Sequence, residues 1–516
     1  MKSSRQILVW LLLAVAANQA ALARDNALSS RIQKILTQTE ANRGFWGVEV
    51  ISLSTGKVLY AQNEDKLFTP ASVTKLFTTS AALALIGPEY RFRTTIETAG
   101  MVDKYGRLTG DLVLVGRGDP NLSGRTLPYN LRTERKLPPI HVLVDLADQL
   151  SKKGVKYVDG DIVADDSYFA FERYGEGWSQ DDLMWSVGAP VSALTVNDNV
   201  MFVSFLPADR PGEKAFVSVE PFANYYRIDN RILTTPTGTG PRKVYINREP
   251  GSHTLTLWGN IPVDDPGGSE GLAIDDPADF AAQLFHSLLE QRGITVYGKT
   301  RTRHTELANL ETLSVTAFAS GGGGRTNGNP PLVLGEYSSA PLLDDLKVIN
   351  KVSQNLHAEL MLRLLGREKG TAGTVEGGLE VERGFLTQAG IDRDEYALYD
   401  GSGMSRLNLV TPDAVVKLLR YVHGQPWGPE YRATLPNAGL DGSLIDRFKG
   451  TEAQGRVSGK TGTLTHVTSL AGYATTLKGE PVAFSIFCNN HKLPTKHAQE
   501  LIDQIVLAIV EEGAKK

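Results

Sequence analysis

Two short strand-like runs near the start of the chain, residues 47–53 and 57–61, flank the turn Thr55-Gly56. A hairpin of this size is not stable alone and needs further strands. Candidates lie at the far end of the chain: residues 456–464, 469–476 and 481–488, the last two joined by Lys478-Gly479. A helix carrying Leu501, Ile505 and Ile509 follows them, as a helix carrying Leu28, Ile32, Ile35 and Leu36 precedes the hairpin. Helix and hairpin at one end, strands and helix at the other, predict one α/β sandwich split by a long insertion.

The insertion has its own texture. Residues 93–325 alternate short strands, such as 111–115, 161–164 and 201–205, with turns rich in Gly, Pro and Asp, and read as one inserted β-rich domain or two nested ones. The run Ser320-Gly321-Gly322-Gly323-Gly324, continuing through Asn327-Gly328-Asn329-Pro330, marks the junction back to the first domain. The predicted division is therefore 24–92 with 326–516, interrupted by 93–325. A length of 516 residues accommodates about three domains.

Residues 1–23 read as a cleaved secretory signal peptide: Lys2 and Arg5, an apolar run from Ile7 to Ala17, then Ala21-Leu22-Ala23. The run is too short for a membrane span and is followed by Asn18 and Gln19, so membrane contact is expected to be peripheral at most. Cys488 is the single cysteine, which excludes an intramolecular disulfide. With 41% hydrophobic and 22% charged residues and a formal net charge of −4, the chain is neither a disordered segment nor a general nucleic-acid binder.

Three short patterns carry chemistry. Ser72-Val73-Thr74-Lys75 sets a hydroxyl and an amine at i and i+3 at the start of a helix predicted to be capped by Thr69 and opened by Pro70, so the amine can take the hydroxyl proton. A lysine acts as a base only when its pKa falls, and a second cation nearby would help. Ser353-Gln354-Asn355, at the joint between two helical segments, is the only Ser-x-Asn in the chain. Lys460-Thr461-Gly462, in a terminal strand, is the only Lys-Thr-Gly. A second Ser-x-x-Lys, Ser54 to Lys57, sits on the hairpin turn and reads as structural. The order of the three patterns points to acyl transfer. Ser72 would attack a carbonyl carbon and Lys75 would take its proton, while Ser353 and Lys460 would relay a proton to the leaving amine. Asn355 would hold the substrate amide, and Lys460 with Thr461 would bind a free carboxylate. The N–H groups of Ser72 and Thr463, beside Gly462, would form the oxyanion hole.

These motifs resemble the penicillin-binding protein 4 type of D-alanyl-D-alanine carboxypeptidase and endopeptidase. The resemblance extends through Asp111-Leu112-Val113-Leu114-Val115, Gly116-Arg117-Gly118-Asp119-Pro120, Asp165-Asp166-Ser167-Tyr168-Phe169, Asn350-Lys351, Asp400-Gly401-Ser402-Gly403 with Ser405-Arg406, and Ala471-Gly472-Tyr473. It implies a serine β-lactamase/transpeptidase-like α/β sandwich with inserted β-rich domains. It also implies acylation at Ser72, peptidoglycan stem peptides as substrates, β-lactams as covalent inhibitors, no metal or cofactor, and a periplasmic location. Asp165 and Arg406 match positions that shape the substrate pocket in that family.

Weaker patterns point elsewhere. Gly116-x-Gly118 lacks the third glycine of a dinucleotide fingerprint, and Asp400-Gly401-Ser402 reads as a turn. His357 beside Glu359 reads as a helix-surface pair, and the terminal helix as packing on the sheet. Two alternatives stay open: a β-lactamase, which would need an efficient base for deacylation, and a wall-binding protein without turnover.

Overall fold

In the computed structural model, the structure describes residues 27–127, 129, 135–310 and 330–512. The predicted signal peptide and the Gly-rich junction through Asn329 lie outside the described residues. The described residues form two compact units: those within 27–84, 346–353 and 382–512 in the first, and those within 85–345 and 354–381 in the second. These divisions fall at other points than 93 and 325.

The first unit is built on a five-stranded antiparallel sheet. Its order is Val58–Gln62, Phe45–Ser52, Pro481–Asn489, Val467–Thr475, Val457–Leu464, so the N-terminal hairpin is extended by the three C-terminal strands. Alternation along the strands sorts the side chains. Trp46, Val48, Val50, Val482, Phe484, Ile486 and Cys488 share one core with the helix 27–36 and with Leu501, Ile502, Ile505 and Ile509 of the helix Thr495–Val510. The terminal helix thus spends its apolar face on the sheet, and each fully buried Leu or Ile there contributes about 1.5–3 kcal/mol. Residues of opposite parity meet the other layer: a Cβ on Gly47 would lie 2.4 Å from the Phe68 ring and 2.9 Å from Pro412. Pro412 opens the helix Pro412–His423, capped by Thr411, whose hydroxyl accepts the Ala414 N–H at 3.0 Å. Among the described residues no helix is long and apolar enough to cross a membrane.

The second unit centres on a mixed five-stranded sheet in the order Thr300–Thr305, Ile162–Ala170, Leu112–Val115, Arg93–Thr98, Leu332–Ser338. The helices His141–Lys152 and Pro277–Gln291 bury Leu143, Leu146, Phe280 and Phe285 in its core. Two three-stranded sheets, a four-stranded one and a two-stranded one complete the β-rich part among the described residues. The helix Asn355–Lys369 belongs to this unit. One expectation fails on it. His357 and Glu359 are fully buried instead of on a helix surface, because each has found charged partners inside: Arg363 for Glu359, Asp198 and Asp345 for His357.

Candidate active site

Ser72 does not sit on the first turn of an α-helix. Residues Ala71–Thr74 form a 3₁₀ turn that leads into the helix Lys75–Leu85, and its N-cap, Pro70, makes no side-chain cap, so the expected Thr69 cap is absent. The turn is held from three sides. Ala71 has φ of 50°, a strained conformation for a residue with a Cβ, and its carbonyl accepts the Thr74 hydroxyl at 2.9 Å. The Pro70 carbonyl accepts Ser469 Oγ at 2.8 Å. Gly403, at φ 83°, passes so close that a Cβ would lie 1.9 Å from the Ala71 carbonyl oxygen.

Lys75 is fully buried, and its Nζ donates to Ser72 Oγ at 2.9 Å and to the Ser402 carbonyl at 2.5 Å. The second contact was not foreseen, since the sequence around Ser402 reads only as a turn. Asp400 builds that turn: its buried carboxylate accepts from the N–H groups of Gly403 at 2.8 Å and Ser405 at 2.6 Å, and from the Asn408 amide at 2.6 Å. An Asp followed by several small residues was the available signal.

Ser353 ends the π-turn Val348–Val352 in a left-handed conformation with φ of 66°. Asn350 anchors the turn by donating to Thr434 Oγ1 at 2.8 Å, and Lys351 pairs with Asp441. Lys460, also fully buried, donates to Ser353 Oγ at 2.8 Å and to its neighbour Thr461's carbonyl at 2.9 Å. Burial, and then the charge of Lys75, hold the Lys460 ammonium well below the ordinary lysine range. Such a group gives up its proton more readily than an exposed lysine does, and an anionic ligand would favour its charged form.

The strand Val457–Leu464 brings the third motif to the nucleophile. A Cβ on Gly462 would lie 2.6 Å from the Pro70 carbonyl oxygen and 3.1 Å from the Ser72 nitrogen, so glycine is what permits this approach. Thr461 Oγ1 lies 2.8 Å from Ser443 Oγ, Thr463 is exposed, and the exposed Arg406 reaches the Thr465 carbonyl at 3.4 Å. Ser72, Lys75, Ser353 and Lys460 therefore share one unit: two hydroxyl–amine pairs, each at hydrogen-bond distance, with the amines close enough to depress Lys460.

Asn355 and Asp165 are placed in the other unit. Asn355 opens its helix and donates to the Val187 carbonyl at 2.9 Å. Asp165, 1% exposed, accepts from the Ser167 N–H and hydroxyl and from Arg303 at 2.7 Å, so its carboxylate is engaged locally.

Residues 28–318 and 323–511 match the D-Ala-D-Ala carboxypeptidase 3 (S13) family. A D-alanyl-D-alanine carboxypeptidase from Actinomadura sp. is 34% identical over 500 residues, 95% of this chain and 85% of that protein. The crystal structure of penicillin-binding protein 4 from Haemophilus influenzae superposes with a TM-score of 0.78 at 24% identity, covering 94% of this chain and 99% of that one. The same protein complexed with a β-lactam gives 0.72 at 23% identity, covering 92% and 98%. These structures share the fold, an α/β sandwich of the penicillin-binding type with additional β-rich parts. Matched nearly end to end by the family and by a relative one-third identical, the chain belongs to the D-Ala-D-Ala carboxypeptidase 3 (S13) family.

Proposed function

We propose that the protein is a serine D-Ala-D-Ala carboxypeptidase of peptidoglycan stem peptides that also cuts D-Ala crosslinks. It works in the periplasm after removal of residues 1–23 and is acylated by β-lactams. The observation that carries this reading is the 2.9 Å contact between Lys75 Nζ and Ser72 Oγ, with the Lys460–Ser353 pair at 2.8 Å in the same unit.

In the first step Ser72 Oγ attacks the carbonyl carbon of the penultimate D-Ala while Lys75 accepts the hydroxyl proton. The N–H groups of Ser72 and Thr463 take up the developing oxyanion beside Gly462. Collapse breaks the C–N bond. The leaving nitrogen receives a proton through Ser353 and Lys460, so D-Ala departs as an amine and an ester remains on Ser72. Water then adds to the ester and gives up its proton, releasing the shortened peptide and restoring the hydroxyl. Lys460 and Thr461 hold the terminal carboxylate, and Arg406 shapes the pocket.

Mass analysis of products from purified wall fragments tests the reading. Loss of one D-Ala from pentapeptide ends is expected, together with separation of crosslinked fragments. With penicillin, the intact protein should gain a stable mass and consume about one equivalent in a burst, because the ring-opened amine stays tethered in the site. Sustained penicillin hydrolysis at a rate comparable with D-Ala release would instead identify a β-lactamase, and acylation without peptide cleavage a wall-binding protein.

A further inference from the structure

The second motif, Ser353-Gln354-Asn355, has a middle residue with no part in these steps. Gln354 Oε1 accepts the Leu356 N–H at 2.8 Å, capping the helix Asn355–Lys369, while its amide nitrogen donates to Asp198 Oδ2 at 2.8 Å. Asp198 is 1% exposed and unusually well held. Arg125 gives it two hydrogen bonds of 2.5 Å, Arg135 a third of 2.5 Å, and His357 Nε2 lies 3.2 Å from Oδ1. The other ring nitrogen of His357 lies 2.8 Å from Asp345 Oδ1. The buried ring thus has a carboxylate at each nitrogen, and Arg125 Nη1 also lies 3.2 Å from Nε2. Burial opposes charge on the ring and on Asp198. Asp345 and Asp198 nevertheless raise the His357 pKa, and Arg125, His357 and Arg135 hold the Asp198 carboxyl well below its usual range.

The backbone that presents this carboxylate is strained. Asn197, Asp198 and Asn199 have φ of 51°, 58° and 54°, three consecutive left-handed residues without a glycine. Side chains over-determine the conformation: Asn197 donates to the Val200 carbonyl and Asn199 to the Pro190 carbonyl, both at 2.8 Å, and Asn199 Oδ1 accepts the Val196 N–H at 3.1 Å. Strain and buried charge therefore converge on one acceptor, and that acceptor grips the residue between Ser353 and Asn355. On the other side of Ser353 the chain is fixed by Asn350 and Lys351.

We infer that Asp198, held by Arg125 and His357, is a positioning residue that sets the placement of the Ser-x-Asn motif through Gln354. The inference rests on the proposed acyl-enzyme reading. Without the grip, the helix start and the adjoining Ser353, poised at φ 66°, would sample other placements, and a displacement of about 1 Å in a catalytic group can cost about a hundredfold.

Gln354→Glu separates the two contacts of Gln354, since it keeps the capping oxygen but replaces the donor to Asp198 with a like charge. At pH 8 the full-length variant should cap its helix and melt close to wild type, yet lose about tenfold or more in kcat for D-Ala release with KM little changed. As the pH falls, protonation of the introduced carboxyl restores a donor beside Asp198, so the ratio of variant to wild-type kcat should climb. Gln354→Met, uncharged and of similar length, should lose kcat at every pH without recovery. Wild-type kcat in either variant, or a loss in Gln354→Glu that does not recover with falling pH, would overturn the positioning role while leaving the carboxypeptidase reading intact. A wild-type enzyme that neither releases D-Ala nor acylates at Ser72 would overturn that reading and this inference with it.

Discussion

Lys460 Nζ and Ser353 Oγ lie 2.8 Å apart although 107 residues separate them in the chain. The contact joins a strand of the sheet to the end of a π-turn, and it gives a buried lysine a hydroxyl through which a proton can move. Among the described residues the ammonium has no carboxylate at hydrogen-bond distance, which suits a site that is to receive one from a substrate.

Lys460→Ala is expected to lose most of its reactivity toward peptides ending in a free carboxylate, by about 1.5–3 kcal/mol for a charge-assisted contact. The loss should be smaller for an amidated substrate. Comparing kcat/KM for the two substrates checks this, and equal losses would assign Lys460 to proton transfer or folding alone.

Ser72→Ala should abolish both D-Ala release and covalent penicillin labelling, whereas Ser54→Ala should change neither. Both serines stand three residues before a lysine, but only Ser72 has that lysine at 2.9 Å in a buried setting. Peptide mapping of the labelled protein decides it, and a label on any other serine would refute the assignment.

Gly462→Ala should slow acylation about a hundredfold. The added methyl would meet the Pro70 carbonyl oxygen at 2.6 Å and the Ser72 nitrogen at 3.1 Å, so strand and nucleophile must move apart. Gly384, in the helix Val375–Gln388, has open space at its Cβ position, and Gly384→Ala should leave acylation unchanged and add about 0.5–1 kcal/mol of stability. Stopped-flow labelling with a fluorescent penicillin distinguishes the two.

Glu49, buried on the strand Phe45–Ser52, makes the stability of the protein depend on pH. Burial, and then Asp413 and Glu64, raise its pKa from 4.5 to about 8, and its Oε2 has no hydrogen-bond partner among the described residues. Between these two values the folded state holds a proton that the unfolded state has lost. Its contribution to stability is therefore present below pH 4.5 and lost as the pH rises to about 8. Glu49→Gln should be near neutral at pH 4.5 and stabilising at pH 8, by at most roughly 5 kcal/mol. Thermal melts across that range provide the measurement, and an equal effect at both ends would contradict the buried-acid account.

The split sheet was legible in the sequence because its strand-like runs are separated by short turns, two of them with glycine at Gly56 and Gly479, and because a hairpin needs neighbours wherever in the chain they lie. The three motifs were legible for a similar reason: residue type and spacing prescribe what a hydroxyl and an amine can do. Other features depended on how distant segments close on one another. The Ser402 carbonyl at Lys75, the left-handed backbone at Ala71 and Ser353, and the close approach of Gly462 to Pro70 are set by packing across hundreds of residues. Nor could periodicity predict that His357 is interior. Its helix reads as amphipathic from one side, but the carboxylates that make burial of this histidine tolerable, Asp198 and Asp345, come from other segments and exist as partners only once the chain has folded.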